Sequence, residues 1–218
     1  MKRILTVDIG GTNVKVLVTG ANERRKFPSG PELTPEAMVE GVKKLTADWK
    51  YDVVSIGYPG LVRHDRVVAE PNNLGPGWVD FDFEKAFGRP VKMLNDAAMQ
   101  ALGSYRGGTM LFLGLGTGLG SALVVEGTVV PMELGKLSVR NTTFDDVLGR
   151  RGKKRVGNKL WTKRVAAVTR RFVSALELDD VVLGGGNAKK LKKVPEGCRL
   201  GANTNAFIGG FRLWETAH

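Results

Sequence analysis

Twice in this chain an apolar strand runs into a glycine-rich turn and out into a second apolar strand. The first instance is Leu5-Thr6-Val7-Asp8-Ile9-Gly10-Gly11-Thr12-Asn13-Val14-Lys15-Val16-Leu17-Val18. The second is Leu113-Gly114-Leu115-Gly116-Thr117-Gly118-Leu119-Gly120-Ser121-Ala122-Leu123-Val124-Val125. Apolar, β-branched residues alternating on both sides of a short turn predict a hairpin in each case. In the first turn Gly10 and Gly11 leave no side chain between the backbone and an arriving anion. Consecutive N–H groups there can form a nest for phosphate oxygens. Thr12 adds a hydroxyl and Lys15 a positive charge, while Asp8 offers a carboxylate that could hold a hydrated Mg²⁺. A single glycine turn is better read as a plain hairpin. Its return half a chain later changes the balance and predicts a duplicated α/β fold: two domains with a central cleft, one hairpin facing the other across a bound polyphosphate.

A chain of 218 residues that is 42% hydrophobic can bury a full core, as one large domain or two small ones. No apolar run is long enough to span a bilayer, so no membrane partner is expected. Met1-Lys2-Arg3 leads straight into a strand without the features of a secretory leader. Cys198 is the only cysteine, which excludes an internal disulfide and a multi-cysteine zinc site. A cytoplasmic protein is the simplest expectation.

The net charge of +11 is unevenly spread, with Lys and Arg crowded between Lys136 and Arg171. Such crowding suits a solvated helical face, a nucleic acid, or a phosphate-rich small molecule or polymer. No recognised nucleic-acid motif accompanies it, so nucleic acid is not the expected partner.

Along the chain, Arg25 to Phe27 reads as a third strand. Thr34-Pro35 reads as the cap and first residue of a helix running to about Trp49. Val53 to Gly60 is a buried strand ending in a turn. Trp78, in the polar loop Pro71–Trp78, reads better as a core anchor than as a sugar contact. Asp82 to Phe87 is a short helix. Val91 to Leu94 is a strand meeting Asn95-Asp96, followed by a helix from Ala97 to Tyr105. Asn95 and Asp96 suit a plain helix cap, and Asp96 equally suits a general base at a strand end. Gly107-Gly108 reads as a hinge, Pro131 to Lys136 as a loop, Thr143 to Leu148 as a short helix and Asn158 to Leu176 as a longer one. Asp180 to Leu183 is a strand meeting Gly184-Gly185-Gly186-Asn187, whose glycines either let a flat ring approach or only make a turn. Asn203 to Trp214 reads as a final helix.

These motifs in this order resemble the ROK family of sugar kinases, within the actin-like (RNase H-like) fold. Asp8 to Thr12 resembles the family's first phosphate motif, Gly116 to Gly120 its second, and Gly184-Gly185-Gly186 its adenosine-side motif. The resemblance covers nearly the whole chain and is nearest to the polyphosphate glucokinase branch. Asp145–Gly152, Lys159-Leu160-Trp161, Gly197–Asn203 and Phe211–Glu215 carry that part. It implies Asp96 as catalytic base. It implies Gly10, Gly11, Thr12, Lys15, Gly116, Thr117 and Gly118 as phosphate-binding residues. Asn73, Asn95, Asp96, Glu133 and Lys136 become sugar-binding positions; Gly184, Gly185, Gly186 and Asn187 become nucleotide-binding. Asp8 would hold Mg²⁺ through water. Lys136 stands where the family motif has histidine, so the sugar is open. The family's cysteine-rich zinc motif is absent, and no zinc is expected.

The implied domains are 1–107, completed by a C-terminal helix over 203–218, and 108–202. The implied reaction moves a phosphoryl group from polyphosphate, ATP or both to the 6-hydroxyl of glucose, with Mg²⁺, and with domain closure excluding water. Two other readings stay open: an ATP-dependent kinase of another hexose or amino sugar, and a catalytically weak sugar- or phosphate-binding regulator. A homodimer is the assembly the resemblance suggests. No DNA-binding segment is expected ahead of Ile4.

Overall fold

The computed structural model describes residues 2–202 and 204–215. In chain order the strands and helices begin with β1 (Ile4–Ile9), β2 (Asn13–Val18), β3 (Arg25–Pro28), α1 (Pro35–Leu45) and β4 (Val53–Tyr58). There follow β5 (Val62–Arg63), β6 (Arg66–Val67), α2 (Phe83–Phe87), β7 (Val91–Asn95), α3 (Asp96–Ser104), β8 (Thr109–Leu115), β9 (Leu119–Val125) and β10 (Thr128–Met132). The remainder are β11 (Ser138–Val139), β12 (Thr142–Thr143), α4 (Phe144–Leu148), α5 (Arg150–Leu176), β13 (Asp180–Gly184), β14 (Cys198–Leu200) and α6 (Asn205–Arg212). The chain divides into two compact units, residues 2–99 with 206–215 and residues 100–202 with 204–205. The division falls inside α3.

Each unit is built on one five-stranded sheet, and the two sheets have the same strand order. In the first it is β3-β2-β1-β4-β7, in the second β10-β9-β8-β13-β14. Three strands form an antiparallel meander, and the last two run parallel to the first strand of that meander. The duplication read from the hairpins is therefore a duplication of topology.

The first unit's core gathers Leu5, Val7, Ile9, Val14, Val16, Met38, Val42, Val54, Ile56 and Trp78, all buried. Burying each such side chain contributes about 1.5–3 kcal/mol. Trp78 is fully buried against Tyr58 and Phe83, as a core anchor. Thr34 caps α1 by accepting from the Ala37 N–H. The helix stops at Leu45, four residues short of Trp49. Arg25 explains the stop: its guanidinium donates to the Leu45 carbonyl at 2.8 Å and pairs with Asp48, taking the acceptor a further helical turn would use. That pairing holds the Asp48 carboxyl down at about 2. α6 closes the unit, with Ser55 Oγ donating to Gly210 O at 2.6 Å and Lys92 Nζ to Leu213 O at 2.8 Å. This final helix is shorter than expected; Asn203 and residues 216–218 lie outside the described residues.

The second unit's core is built from Leu111, Leu113, Leu115, Phe144, Leu148, Trp161, Val165, Phe172, Val181 and Leu183. Two readings change here. Pro131 belongs to a strand, not a loop, and β10 tolerates it because it is an edge strand whose outer side needs no N–H donor. α5 begins at Arg150, eight residues before Asn158. Gly157, at φ 72° and ψ 163°, breaks it into two helical segments, and the charged first segment lacks the apolar spacing that marks a helix in sequence. Among the described residues no helix is long and apolar enough to cross a membrane.

Candidate active site

In the first unit, β1, β4 and β7 run parallel and end together, with Asp8 level with Gly57 and Tyr58 level with Asn95. The carboxyl ends of parallel strands are where open α/β sheets take ligands. Here they deliver Asp8, the Gly10–Thr12 turn, and Asn95-Asp96 to one edge. Within the turn the Gly10 N–H donates back to Asn13 O at 3.0 Å. The N–H groups of Gly11 and Thr12 donate to no acceptor among the described residues. Two adjacent free donors are what a phosphate nest needs.

Neither Gly10 nor Gly11 has positive φ. A Cβ on Gly10 would press on Asn13 O at 3.2 Å, whereas one on Gly11 would meet the Asn73 side chain at an ordinary 3.6 Å. That proximity places Asn73, a sugar-binding expectation from a distant loop, against the first glycine turn. Lys15 sits opposite Asp8 in the hairpin register and bonds its Oδ2 at 3.1 Å. Among the described residues nothing bonds Asp8 Oδ1. Mg²⁺ typically takes one or two carboxylates, several waters and substrate phosphates. A single half-buried carboxylate with a free oxygen beside free N–H donors fits that chemistry.

Asn95 is buried, and its Oδ1 accepts from the Ala98 N–H at 2.6 Å. It caps α3 through that oxygen. Asp96 is the first residue of α3 and is half-buried.

The second unit repeats the arrangement. The Gly116 N–H bonds back across its turn to Gly118 O at 3.1 Å, and the next two N–H groups, Thr117 and Gly118, donate to no acceptor among the described residues. The turn is clamped from three sides. Asp145 Oδ1 accepts from the Leu119 N–H at 2.6 Å. The Arg150 N–H, at the start of α5, donates to Gly116 O and Thr117 O at 3.1 and 3.0 Å. Asn187 Nδ2 donates to Gly116 O at 3.1 Å.

The expected nucleotide residues divide by role. A Cβ on Gly184 would run into the Phe112 ring, so that glycine serves packing. Gly185 has φ +80°, and a Cβ there would lie 2.7 Å from Leu115 O. Gly186 alone has open space beside it. Asn187 is buried, with its amide spent on Gly116. The Gly184–Asn187 turn and the second glycine turn thus form one cluster.

Glu133 precedes a 3₁₀ turn, Leu134–Lys136, and its carboxylate pairs with Lys136 Nζ at 3.3 Å. Lys136 is exposed and neutralised by its neighbour three residues back. Ser121 Oγ fixes this turn, donating to Met132 O at 2.9 Å and accepting from the Leu134 N–H at 3.0 Å. Sequence reasoning missed Ser121, missed Asp145 as a clamp, and missed Ser29, whose hydroxyl donates to Gly10 O. A short polar residue beside a glycine turn is the one signal that could have flagged them.

Two units of one strand order, each with a glycine turn that presents a pair of N–H groups free among the described residues, define an actin-like α/β fold. Within that class the chain belongs to the ROK family, whose model matches residues 4–135. It is 26% identical to the polyphosphate glucokinase of Mycobacterium tuberculosis over 86% of this chain and 78% of the relative. It is 29% identical to the N-acetylmannosamine kinase of Salmonella newport over 58% of this chain and 48% of that relative. The fold is also that of the inorganic polyphosphate/ATP-glucomannokinase from Arthrobacter sp. strain KM, with a TM-score of 0.79, 23% identity and coverage of 96% and 97% of the two chains.

Proposed function

We propose that this protein is a sugar kinase that transfers a phosphoryl group from polyphosphate or ATP to the 6-hydroxyl of glucose. The observation that carries the reading is the placement of Asp96 on the same sheet edge that ends in Asp8 and the Gly10–Thr12 turn. A carboxylate there can accept the proton of an attacking hydroxyl while adjacent N–H groups receive phosphate oxygens. Asn73 and the Asn95 amide orient the sugar. The free N–H groups of Thr117 and Gly118 hold donor phosphates, and the Gly184–Gly186 turn borders the donor. Mg²⁺ would be held through water by Asp8 and would neutralise charge on the donor phosphates. Positioning and electrostatics carry most of the rate in such transfers, and Asp96 supplies the proton acceptor.

Glucose is the first sugar to test. The exposed Glu133–Lys136 pair supports a second reading in which the acceptor is another hexose or an amino sugar, because a lysine only donates hydrogen bonds whereas a histidine can also accept. The test is ³¹P NMR of sugar-phosphate formation with Mg²⁺, over a panel of glucose, mannose and N-acetylmannosamine, with each donor in turn. Glucose 6-phosphate formation supports the first reading. Product only from another sugar supports the second. No product from any combination in folded protein would contradict both.

A further inference from the structure

The charge of this chain is concentrated in one place. α5 holds ten Lys and Arg and no Asp or Glu, and Lys189, Lys190, Lys192 and Lys193 add four more. The remaining 19 basic residues of the 33 are outnumbered by the 22 acidic ones, so the whole net charge of +11 arises from these two stretches. Among the described residues no carboxylate forms an ion pair with any α5 cation.

The two stretches form one surface. Asn158 Nδ2 donates to Lys190 O at 2.8 Å, tying the Ala188–Lys190 turn to the helix. Beyond Gly157, α5 buries Trp161, Val165, Val168 and Phe172 and exposes Lys159, Lys163, Arg170 and Arg171. At 3.6 residues per turn and 1.5 Å per residue, Lys159, Lys163 and Arg170 fall within about 40° of one another, a stripe on the solvent side roughly 16 Å long. Lys153 lies over the Trp161 ring at 4.7 Å, and its Nζ is buried with no hydrogen-bond partner among the described residues. Burial first, and then the charge of Lys190, lower its pKa.

The surface starts at the second glycine turn, where the first residue of α5 bonds to Gly116 and Thr117. From there it runs away along the helix. We infer that the α5 face and the Lys189–Lys193 turn are a docking track for the distal part of a linear polyphosphate chain whose reactive end lies at the Gly116–Gly118 turn. This rests on the kinase reading and deepens it by naming the donor. ATP ends at its nucleoside and has no use for such a track. Nucleic acid fits less well: both aromatic residues of α5 are buried, so the face has no platform for stacking bases.

The test is direct binding of long-chain polyphosphate and of tripolyphosphate to the full chain by titration calorimetry, for wild type and for a Lys163→Glu, Arg170→Glu, Arg171→Glu variant. All three substituted side chains are exposed, and circular dichroism checks that the variant is folded. The track predicts that the long chain binds wild type more tightly than tripolyphosphate. It predicts that the variant loses at least about tenfold in long-chain affinity, while tripolyphosphate affinity stays within about twofold, because only the long chain reaches the lost charges. Equal affinity of the two ligands for wild type, or unchanged long-chain affinity in the variant, would overturn it. So would a single-stranded oligonucleotide that displaces the long chain at lower concentration, which would assign the face to nucleic acid. Intact long-chain binding with no sugar phosphorylation from any donor would remove the kinase reading and leave the docking surface standing.

Discussion

The two glycine turns have the same outline and are both held by residues from elsewhere, the first by Ser29, but they differ in the charge built into them. In each, the first N–H bonds back across the turn and the next two are free. The turn at Gly10 carries its own charge chemistry, with the Asp8–Lys15 pair at 3.1 Å built into the hairpin that forms it. The turn at Gly116 has no ionisable residue from Gly114 to Gly120, and borrows everything from elsewhere: the Asp145 carboxylate, the first N–H of α5 and the Asn187 amide. A duplicated backbone can therefore be specialised by what is brought to it. The first unit adds carboxylates beside its turn, which suits an acceptor hydroxyl and a metal. The second adds a cationic helix behind its turn, which suits a donor rich in phosphate.

If the second turn depends on borrowed contacts, removing them should cost more than the matching changes in the first. The largest expected effect is for Gly185→Val. This position needs positive φ and has no room for a Cβ beside the Leu115 backbone. Strain there should cost upward of about 3 kcal/mol in urea unfolding and abolish phosphoryl transfer. Next is Asp145→Ala, which leaves the Leu119 N–H without its acceptor. It should cost about 1–3 kcal/mol in stability. Its donor KM should rise about tenfold, equivalent to ~1.4 kcal/mol, with the sugar KM unchanged in steady-state kinetics. The smallest effect is expected for Lys15→Met. Its ion pair is partly exposed, with side-chain accessibilities of 32% and 14%, so thermal unfolding should register no more than about 1 kcal/mol. A loss from Lys15→Met as large as that from Asp145→Ala would erase the contrast between the two turns.

The parts of the fold that were legible in sequence are those fixed by near neighbours. Both hairpins, the Thr34-Pro35 start of α1, the short helices after Asp82 and Thr143 and the strand at Asp180 all announce themselves within a few residues. What was not legible depends on partners far along the chain. The end of α1 is set by Arg25, twenty residues before Leu45. The proximity of Asn73 to Gly11 crosses most of the first unit's sequence. Asp145 reaches Leu119 from 26 residues away. The first segment of α5 hides because charged residues and two glycines erase its apolar periodicity. Three adjacent glycines looked alike in sequence, yet Gly184 is there for packing and Gly185 for its backbone angle, and Gly186 alone opens onto free space.

The division of labour between the units is tested most directly by Asp96→Asn, measured for both sugar binding and turnover in one preparation. The substitution keeps the shape of the side chain and removes the proton acceptor. We expect sugar affinity by calorimetry within a few-fold of wild type, donor affinity unchanged, and turnover reduced by about 10³-fold. Turnover close to wild type in a folded Asp96→Asn protein would contradict the assignment of the base, and with it the reading of the first unit as the acceptor side.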